Sequence, residues 1–349
     1  MNWTKQDITR IYNALADAES KYIFGNRFLF SLTENKEYME NVIKTTVEGK
    51  KFYERLEQTN TKKVIFGAGF WGRSIARQYH EYGFDCFVDN NAVWPYEKKE
   101  GLFVISFEEY LKKYGDCATV FLGSRLYYND FWKQLMKCGI PKERIVNIGK
   151  MIDDMSMRQY FDLPDMPHVD DEVFVDAGGF DGMTSKIFIQ WCGNRYKKIY
   201  IFEPEKENIL QCNKNLLAVN AKFEIIPNGL WDSKCSLGFV ENENGTSHIL
   251  EDTDLDRSDS TCVAMDTLDR LLDDNVTFIK MDIEGAEYRA IKGAETIIRK
   301  CHPKLAISIY HNAEDIWELP RLIMTICPDY RLYLRHYSIA QAETVLYAV

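Results

Sequence analysis

Two stretches of the chain share one construction, and it limits the possible folds more than any other feature. Each opens with a short apolar run, Val64–Phe66 in the first and Val173–Val175 in the second. Each then passes through a glycine-rich turn into a segment with helical periodicity, and further apolar runs alternate with helical segments. Such alternation is typical of parallel sheets covered by helices. The sequence therefore predicts an α/β protein with two doubly wound, Rossmann-like domains.

The predicted organisation has four parts. Residues 1–60 carry apolar residues at helical spacing and form a helical preface, and residues 61–150 form the first α/β domain, of the nucleotide-binding type. Residues 151–171 contain two prolines and no clear period, which is typical of a linker, and residues 172–349 form the second domain. Its last two strands are joined by a short loop, so an antiparallel hairpin is expected at one end of a mixed sheet.

Composition excludes several classes of protein. With 46% apolar and 28% charged residues, the chain is neither disordered nor fibrous, and a net charge of −10 argues against a nucleic-acid partner. No apolar run is long enough to cross a bilayer, and the N-terminus lacks the apolar core of a signal peptide, so membrane insertion and secretion are not expected. Nine cysteines without a Cys-x-x-Cys pair indicate reduced thiols and a cytoplasmic protein.

The first glycine turn has the pattern Gly-x-Gly-x-x-Gly, formed by Gly67, Gly69 and Gly72, between a strand and a helix. Asp89 ends the next strand, about 20 residues on, where an acid can bind a ribose diol. The pattern indicates a possible nucleotide site, for NAD or a nucleotide sugar, in addition to the site described next. The alternative is a turn kept for packing that binds nothing, because the two aromatic residues within it could fill the space that a pyrophosphate needs.

The second turn differs in its charges. Asp176 ends the strand before the glycines, Asp181 lies within the turn, and Glu203 ends the following strand. Carboxylates repel a diphosphate but attract an ammonium or a sulfonium, and an acid at the end of the second strand can hold a ribose. S-adenosylmethionine combines all three groups. The predicted cofactor-binding residues are Asp176, Gly178, Gly179, Asp181, Gly182, Thr184 and Glu203, with Asn228 and Gly229 at the adenine ring.

From about residue 173 to the C-terminus the chain resembles the FkbM-type family of S-adenosylmethionine-dependent methyltransferases. The resemblance lies in the turn at 173–182, in Phe202-Glu203-Pro204 and in the segment Phe278–Glu287. It implies a class I methyltransferase fold, with a seven-stranded mixed sheet and a terminal antiparallel hairpin. It also implies methyl transfer to a hydroxyl oxygen, often of a saccharide or a natural product. Residues 62–149 resemble the Rossmann-type domains attached to some family members.

Four residues are catalytic candidates, and three of them form the predicted acceptor side of the site. Asp282 and Glu284 follow the fourth strand of the second domain, and His311 follows the fifth. A neutral imidazole beside two acids could take the proton of a hydroxyl group. The alternatives are a helix-capping role for the acids and a loop hydrogen bond for His311. Lys280 lies in a strand that should be central, where pairing with a carboxylate is favoured over an edge position.

Residues 241–260 are rich in acids, which predicts a solvated loop by default, and their position between site-forming strands also suits an acceptor-binding lid. They lack EF-hand spacing, so no dedicated metal site is expected.

Together these features predict an S-adenosylmethionine-dependent O-methyltransferase whose partner is a small-molecule or saccharide acceptor; the oligomeric state stays open, including a homo-oligomer. Two alternatives remain. One is a nucleotide-sugar or NAD-dependent enzyme that acts through the first domain, and the other is a non-catalytic binding or assembly protein.

Overall fold

The computed structural model describes residues 4–164, 166–241, 247–250 and 261–349. The chain divides into two compact units that interleave along the sequence. The first consists of residues 1–42, 158–336 and 340–349, and the second of residues 43–157 and 337–339. The predicted limits of the four parts of the chain stay a prediction.

The chain begins with helices, as predicted. They are α1 (Lys5–Ala14), α2 (Ala18–Thr33) and α3 (Lys36–Ile43). Helix α1 begins at a capping box, in which the Thr4 side chain accepts a hydrogen bond from the Asp7 amide and the Asp7 carboxylate accepts one from the Thr4 amide. Asp17 caps α2 in a similar way, by accepting from the Ser20 amide.

The second unit is a small doubly wound domain. Its elements are α4 (Val47–Leu56), β1 (Lys63–Phe66), α5 (Phe70–Gln78), β2 (Cys86–Val88), β3 (Lys98–Lys99), β4 (Leu102–Ile105), α6 (Phe107–Tyr114), β5 (Thr119–Leu122), α7 (Tyr128–Lys137), β6 (Ile145–Val146) and α8 (Ile148–Ser156). The strand order is β3-β4-β2-β1-β5-β6, and every pair except β3 with β4 is parallel. This confirms the first predicted Rossmann-like sheet. Strands β3 and β4 were not predicted.

The first unit holds the larger sheet. Its further elements are β7 (Glu172–Ala177), α9 (Met183–Trp191), β8 (Tyr196–Phe202), α10 (Lys206–Leu217), β9 (Phe223–Ile226), β10 (Gly229–Leu230), β11 (Cys235–Glu241), β12 (Ser247–Leu250), β13 (Thr261–Asp266), α11 (Leu268–Leu271), β14 (Phe278–Met281), α12 (Glu287–Lys292), α13 (Glu295–Cys301), β15 (Lys304–Ser308), α14 (Asp315–Ile326), β16 (Leu332–His336) and β17 (Thr344–Ala348). Seven strands form one sheet in the order β16-β17-β15-β14-β7-β8-β9. Strand β17 is antiparallel to both of its neighbours, which confirms the predicted mixed sheet with a terminal hairpin.

Three details differ from the sequence-based expectation. Strands β10 to β13 form a separate four-stranded sheet that was not predicted. The acid-rich loop at 241–260 contributes β12 to it, while residues 242–246 and 251–260 of the proposed lid lie outside the described residues. The single helix expected at 285–299 is divided into α12 and α13 at Gly293, where a Cβ would collide with the carbonyl oxygen of Trp231.

Part of the predicted linker at 151–171 belongs to a helix or to the core. It begins within α8, and Tyr160 and Phe161 are buried in the first unit. Among the residues that the structure describes, no helix has both the length and the apolarity needed to cross a membrane.

A buried ion pair lies at the centre of the larger sheet. Lys280 of β14 is directly opposite Asp176 of β7, and its Nζ lies 3.0 Å from Asp176 Oδ1. Burial lowers the pKa of Lys280, but attraction to Asp176 and Asp282 outweighs it, so the pKa is raised. The ammonium also donates to the carbonyl oxygens of Ala177 and Gly178, at 3.1 and 2.7 Å. The predicted pairing of Lys280 with a carboxylate is confirmed.

We expect Lys280→Met to lower the free energy of unfolding by about 3–5 kcal/mol, because it leaves the Asp176 carboxylate buried without its partner. Urea denaturation measures the loss, with Lys300→Met on the surface of α13 as the control. The double variant Lys280→Met/Asp176→Leu should recover part of the stability. A loss no larger than that of the control would contradict the stabilising role of the pair.

Candidate functional site

The glycine loop after β7 passes unusually close to its neighbours. Gly178 has a φ of +78°, and a Cβ there would collide with the carbonyl oxygen of Asp282, which follows β14. A Cβ at Gly179 would collide with the side chain of Ile201 in β8. Only glycine fits both positions, since one requires left-handed backbone and both lack room for a side chain. The loop therefore lies against the ends of both strands that flank β7.

Glu203, at the end of β8, is oriented by the same loop. Its Oε2 accepts a hydrogen bond from the Phe180 amide at 2.8 Å, and its Oε1 accepts one from the Glu205 amide at 3.0 Å. Burial raises the pKa of this carboxyl group. Oε1 also accepts a longer hydrogen bond from Asn208 at 3.4 Å, while Oε2 keeps a second lone pair with which Glu203 can accept a hydrogen bond from a ligand diol. The structure thus places Glu203 beside the loop, as the sequence predicted.

Asp176 is placed differently from the expectation. Its side chain is completely buried, with Oδ1 beside Lys280 and Oδ2 accepting a hydrogen bond from the Ser185 hydroxyl at 2.7 Å. A direct contact with a ligand does not fit this placement, because the carboxylate has no exposed surface. Lys280, predicted among the catalytic residues, is only 2% exposed and donates a hydrogen bond to the backbone of the glycine loop.

The other predicted cofactor residues lie along the same edge of the sheet. Asp181 accepts a hydrogen bond from the Met183 amide at the start of α9, and Gly182 and Thr184 lie at that helix start. Asn228 and Gly229 follow β9. The structure therefore brings the loops after β7, β8 and β9 to one edge, because parallel strands end on the same side of a sheet.

Asp282 is held by two tyrosines. Tyr160 donates its hydroxyl to Oδ2 at 2.8 Å, and Tyr310 donates to Oδ1 at 3.2 Å. Burial raises the pKa of Asp282, but the positive charges of Lys280 and His311 outweigh it, so the pKa is lowered. Asp282 is therefore an ionised carboxylate in a defined orientation.

His311 lies among three carboxylates. Its Nδ1 is 3.0 Å from Glu287 Oε1, while its Nε2 is 3.5 Å from Asp282 Oδ1 and 3.6 Å from Glu284 Oε2. Burial lowers the pKa of His311, but the three acids outweigh it and raise the pKa to about 9. The imidazole is therefore protonated at neutral pH in this geometry. The sequence predicted a neutral ring because it could not show how many acids surround it.

Four residues of this group were not predicted. Two of them had a signal in the sequence that could have indicated them, since Glu287 ends the Asp282–Glu287 segment and Tyr310 directly precedes His311. Tyr160 comes from the predicted linker, and Glu343 precedes β17. Glu343 accepts a hydrogen bond from Gln159 at 2.6 Å, and burial together with repulsion from Asp282 raises its pKa to about 7. No sequence signal indicated the last two.

One group of side chains has the composition and spacing of a metal site. Asp282, Glu287 and His311 each offer one ligand atom, and these atoms lie within 4.8 Å of one another. The acids of the predicted lid at 242–246 and 251–260 lie outside the described residues, so their position relative to this group stays a prediction.

The first glycine turn lies in the second unit. Asp89 Oδ2 accepts a hydrogen bond from the Ala68 amide, and a Cβ on Gly72 would collide with the carbonyl oxygen of Gly67, so close helix packing explains that glycine. Gly69 faces open space, and Phe70 and Trp71 are 53% and 39% exposed. A nucleotide at this turn stays a prediction.

Comparisons with known proteins agree with the fold. Residues 176–338 match the family model of the methyltransferase FkbM domain. The crystal structure of methyltransferase FkbM from Methylobacillus flagellatus KT is similar at 20% identity and a TM-score of 0.53, covering 86% of this chain and 93% of that one. No curated protein sequence matches the chain.

Two other solved structures are similar at lower scores. A putative rRNA methylase from Clostridium thermocellum is 12% identical, with a TM-score of 0.34 and coverage of 57% of this chain and 92% of that one. Fibrillarin from Aeropyrum pernix, crystallised with natively bound S-adenosyl-L-methionine, is 12% identical, with a TM-score of 0.33 and coverage of 56% and 74%.

The match at 176–338 includes the glycine loop, Glu203, Asp282 and His311, and the seven-stranded sheet is that of the class I methyltransferase fold. The chain therefore carries a methyltransferase FkbM domain at residues 176–338, and this domain, together with the fold, supports an S-adenosylmethionine-dependent methyltransferase.

Proposed function

We propose that the protein transfers the methyl group of S-adenosylmethionine to a hydroxyl oxygen of a saccharide or a saccharide-containing natural product. One observation supports this most strongly. The glycine loop after β7 lies against the backbone of Asp282, so the cofactor loop and the acidic group around His311 meet at the ends of two adjacent strands. Donor and acceptor can be held side by side there, which is the main requirement of an in-line displacement.

The donor side uses the charges already described. When bound, S-adenosylmethionine supplies a methyl carbon attached to a positively charged sulfur. Glu203 is assigned to the ribose diol, since its two oxygens are oriented by the Phe180 and Glu205 amides. Gly178 and Gly179 let the backbone approach the ligand closely.

The acceptor side needs a group that receives the hydroxyl proton. We assign this to Glu284, whose side chain is 47% exposed and lies 3.6 Å from His311 Nε2. Asp282 already accepts from two tyrosines, and His311 is protonated at neutral pH. As the new carbon–oxygen bond forms and the methyl–sulfur bond breaks, the proton would pass from the hydroxyl to the Glu284 carboxylate and from there to water, and the sulfur would leave as the neutral thioether of S-adenosylhomocysteine.

A polyhydroxyl acceptor suits this edge of the sheet. Carboxylate oxygens accept hydrogen bonds but donate none, and several hydroxyl groups of a saccharide can satisfy them.

We place the reaction in the cytoplasm, because all nine cysteines lie in the described ranges and none of them forms a disulfide.

We expect Glu203→Ala to weaken S-adenosylhomocysteine binding roughly 10-fold or more, since it removes a hydrogen bond to a charged acceptor, which contributes about 1.5 kcal/mol or more. Isothermal calorimetry measures the affinity. The control is Glu207→Ala, an exposed acid in the first turn of α10. Equal affinities in the two variants would show that the ribose is held elsewhere.

Incubation with S-adenosylmethionine labelled in the methyl group and a panel of saccharides should place the label on an oxygen, which NMR identifies as a methyl ether. Label on nitrogen, or no label on any saccharide, would contradict the proposed acceptor.

Glu284→Gln should lower kcat about 100-fold while leaving S-adenosylhomocysteine affinity unchanged, because proton transfer contributes this much to such reactions.

A further inference from the structure

The side chains around His311 have a property that methyl transfer does not require. Glu287, at the start of α12, is completely buried. Its Oε1 accepts a hydrogen bond from the Ile283 amide at 2.9 Å and lies 3.0 Å from His311 Nδ1. Its Oε2 has no hydrogen-bond partner among the described residues. A buried carboxylate oxygen without a partner is energetically costly, and in native proteins such an oxygen commonly binds an ion or a water molecule.

Several carboxylates surround one imidazole. The carboxylates of Asp282, Glu284 and Glu287 all lie within 3.6 Å of the His311 ring. A neutral imidazole among carboxylate oxygens is a usual ligand set for a divalent cation, and binding of the cation would displace a proton from the ring.

The carboxylates are also held in the way that metal ligands are held. Both oxygens of Asp282 accept hydrogen bonds from tyrosine hydroxyls, and Glu287 is fixed by a backbone amide. Partners of this kind orient the ligands of a metal before it binds. The three side chains come from the loop after β14, the start of α12 and the loop after β15, so the sheet brings them together.

We propose that Asp282, Glu287 and His311 bind a divalent cation. Their donor atoms lie within 4.8 Å of one another, close enough for one ion to reach all three. Two carboxylate oxygens and one imidazole nitrogen suit Mn²⁺ among the common ions, since oxygen ligands predominate and the histidine adds a nitrogen. The ion would lie next to Glu284. The metal site itself does not depend on the proposed function. Only its role in the reaction rests on that function, in which a hydroxyl bound to the ion would lose its proton more readily.

The test uses the full-length protein stripped of metal with a chelator and then titrated with Mn²⁺. Loss of the electron paramagnetic resonance signal of free Mn²⁺ reports binding without any assay of activity. We expect one tightly bound ion per chain, and we expect Glu287→Gln to weaken binding at least tenfold. The control Glu207→Gln makes the same chemical change at an exposed glutamate, and this variant should bind Mn²⁺ like the natural chain.

Glu287 is buried, so circular dichroism must first show that its variant is folded. Asp282→Asn, at a partly exposed position, provides a second variant that should lose Mn²⁺ affinity as well. No tight site in the natural chain, or equal binding by all four proteins, would overturn the proposal. Calorimetry with S-adenosylhomocysteine on the same metal-free samples tests cofactor binding separately, so loss of the metal site and loss of the proposed function are distinguishable.

Discussion

The ion pair between Asp176 and Lys280 is the interaction on which the site depends. It joins the two central strands of the larger sheet at directly opposed positions, and neither side chain has appreciable contact with solvent. Two carbonyl oxygens at the beginning of the glycine loop bind the same ammonium. The pair therefore connects the position of β14, and with it Asp282, to the path of the loop. A buried charge of this kind is tolerated only because each of its partners is in place.

A gradient of burial runs outward from this pair. Asp176 and Lys280 are buried and paired with each other. Asp282 is held by tyrosines and is partly exposed, and the side chain of Glu284 is 47% exposed. The overall charge of −10 says nothing about this arrangement. Glu203 and Asp282 directly follow strands, where a cationic methyl donor and a divalent ion would each find an oppositely charged group.

Much of the fold followed from local patterns. Strand and helix alternation, glycine turns and the terminal hairpin are short-range features. They predicted the main sheet of each α/β domain and the placement of Glu203 beside the loop, but not the separate four-stranded sheet. Contacts between distant parts of the chain could not be predicted in this way. Tyr160 reaches Asp282 across more than a hundred residues, and no periodicity indicates such a contact. An acid at the end of a strand can face either a ligand or the protein interior, and the sequence alone does not distinguish the two. Asp176 was expected at the ligand, and its register with Lys280 shows that it faces the interior instead.

Hydrogen exchange followed by mass spectrometry tests most directly whether the second glycine turn is the cofactor site. Amides in the segments 178–183 and 282–287 should exchange more slowly when S-adenosylhomocysteine is added, because the ligand covers the loop and restrains the adjoining strand end. The turn at 67–72 should exchange at an unchanged rate. Slower exchange confined to 67–72, with 178–183 unaffected, would contradict the account.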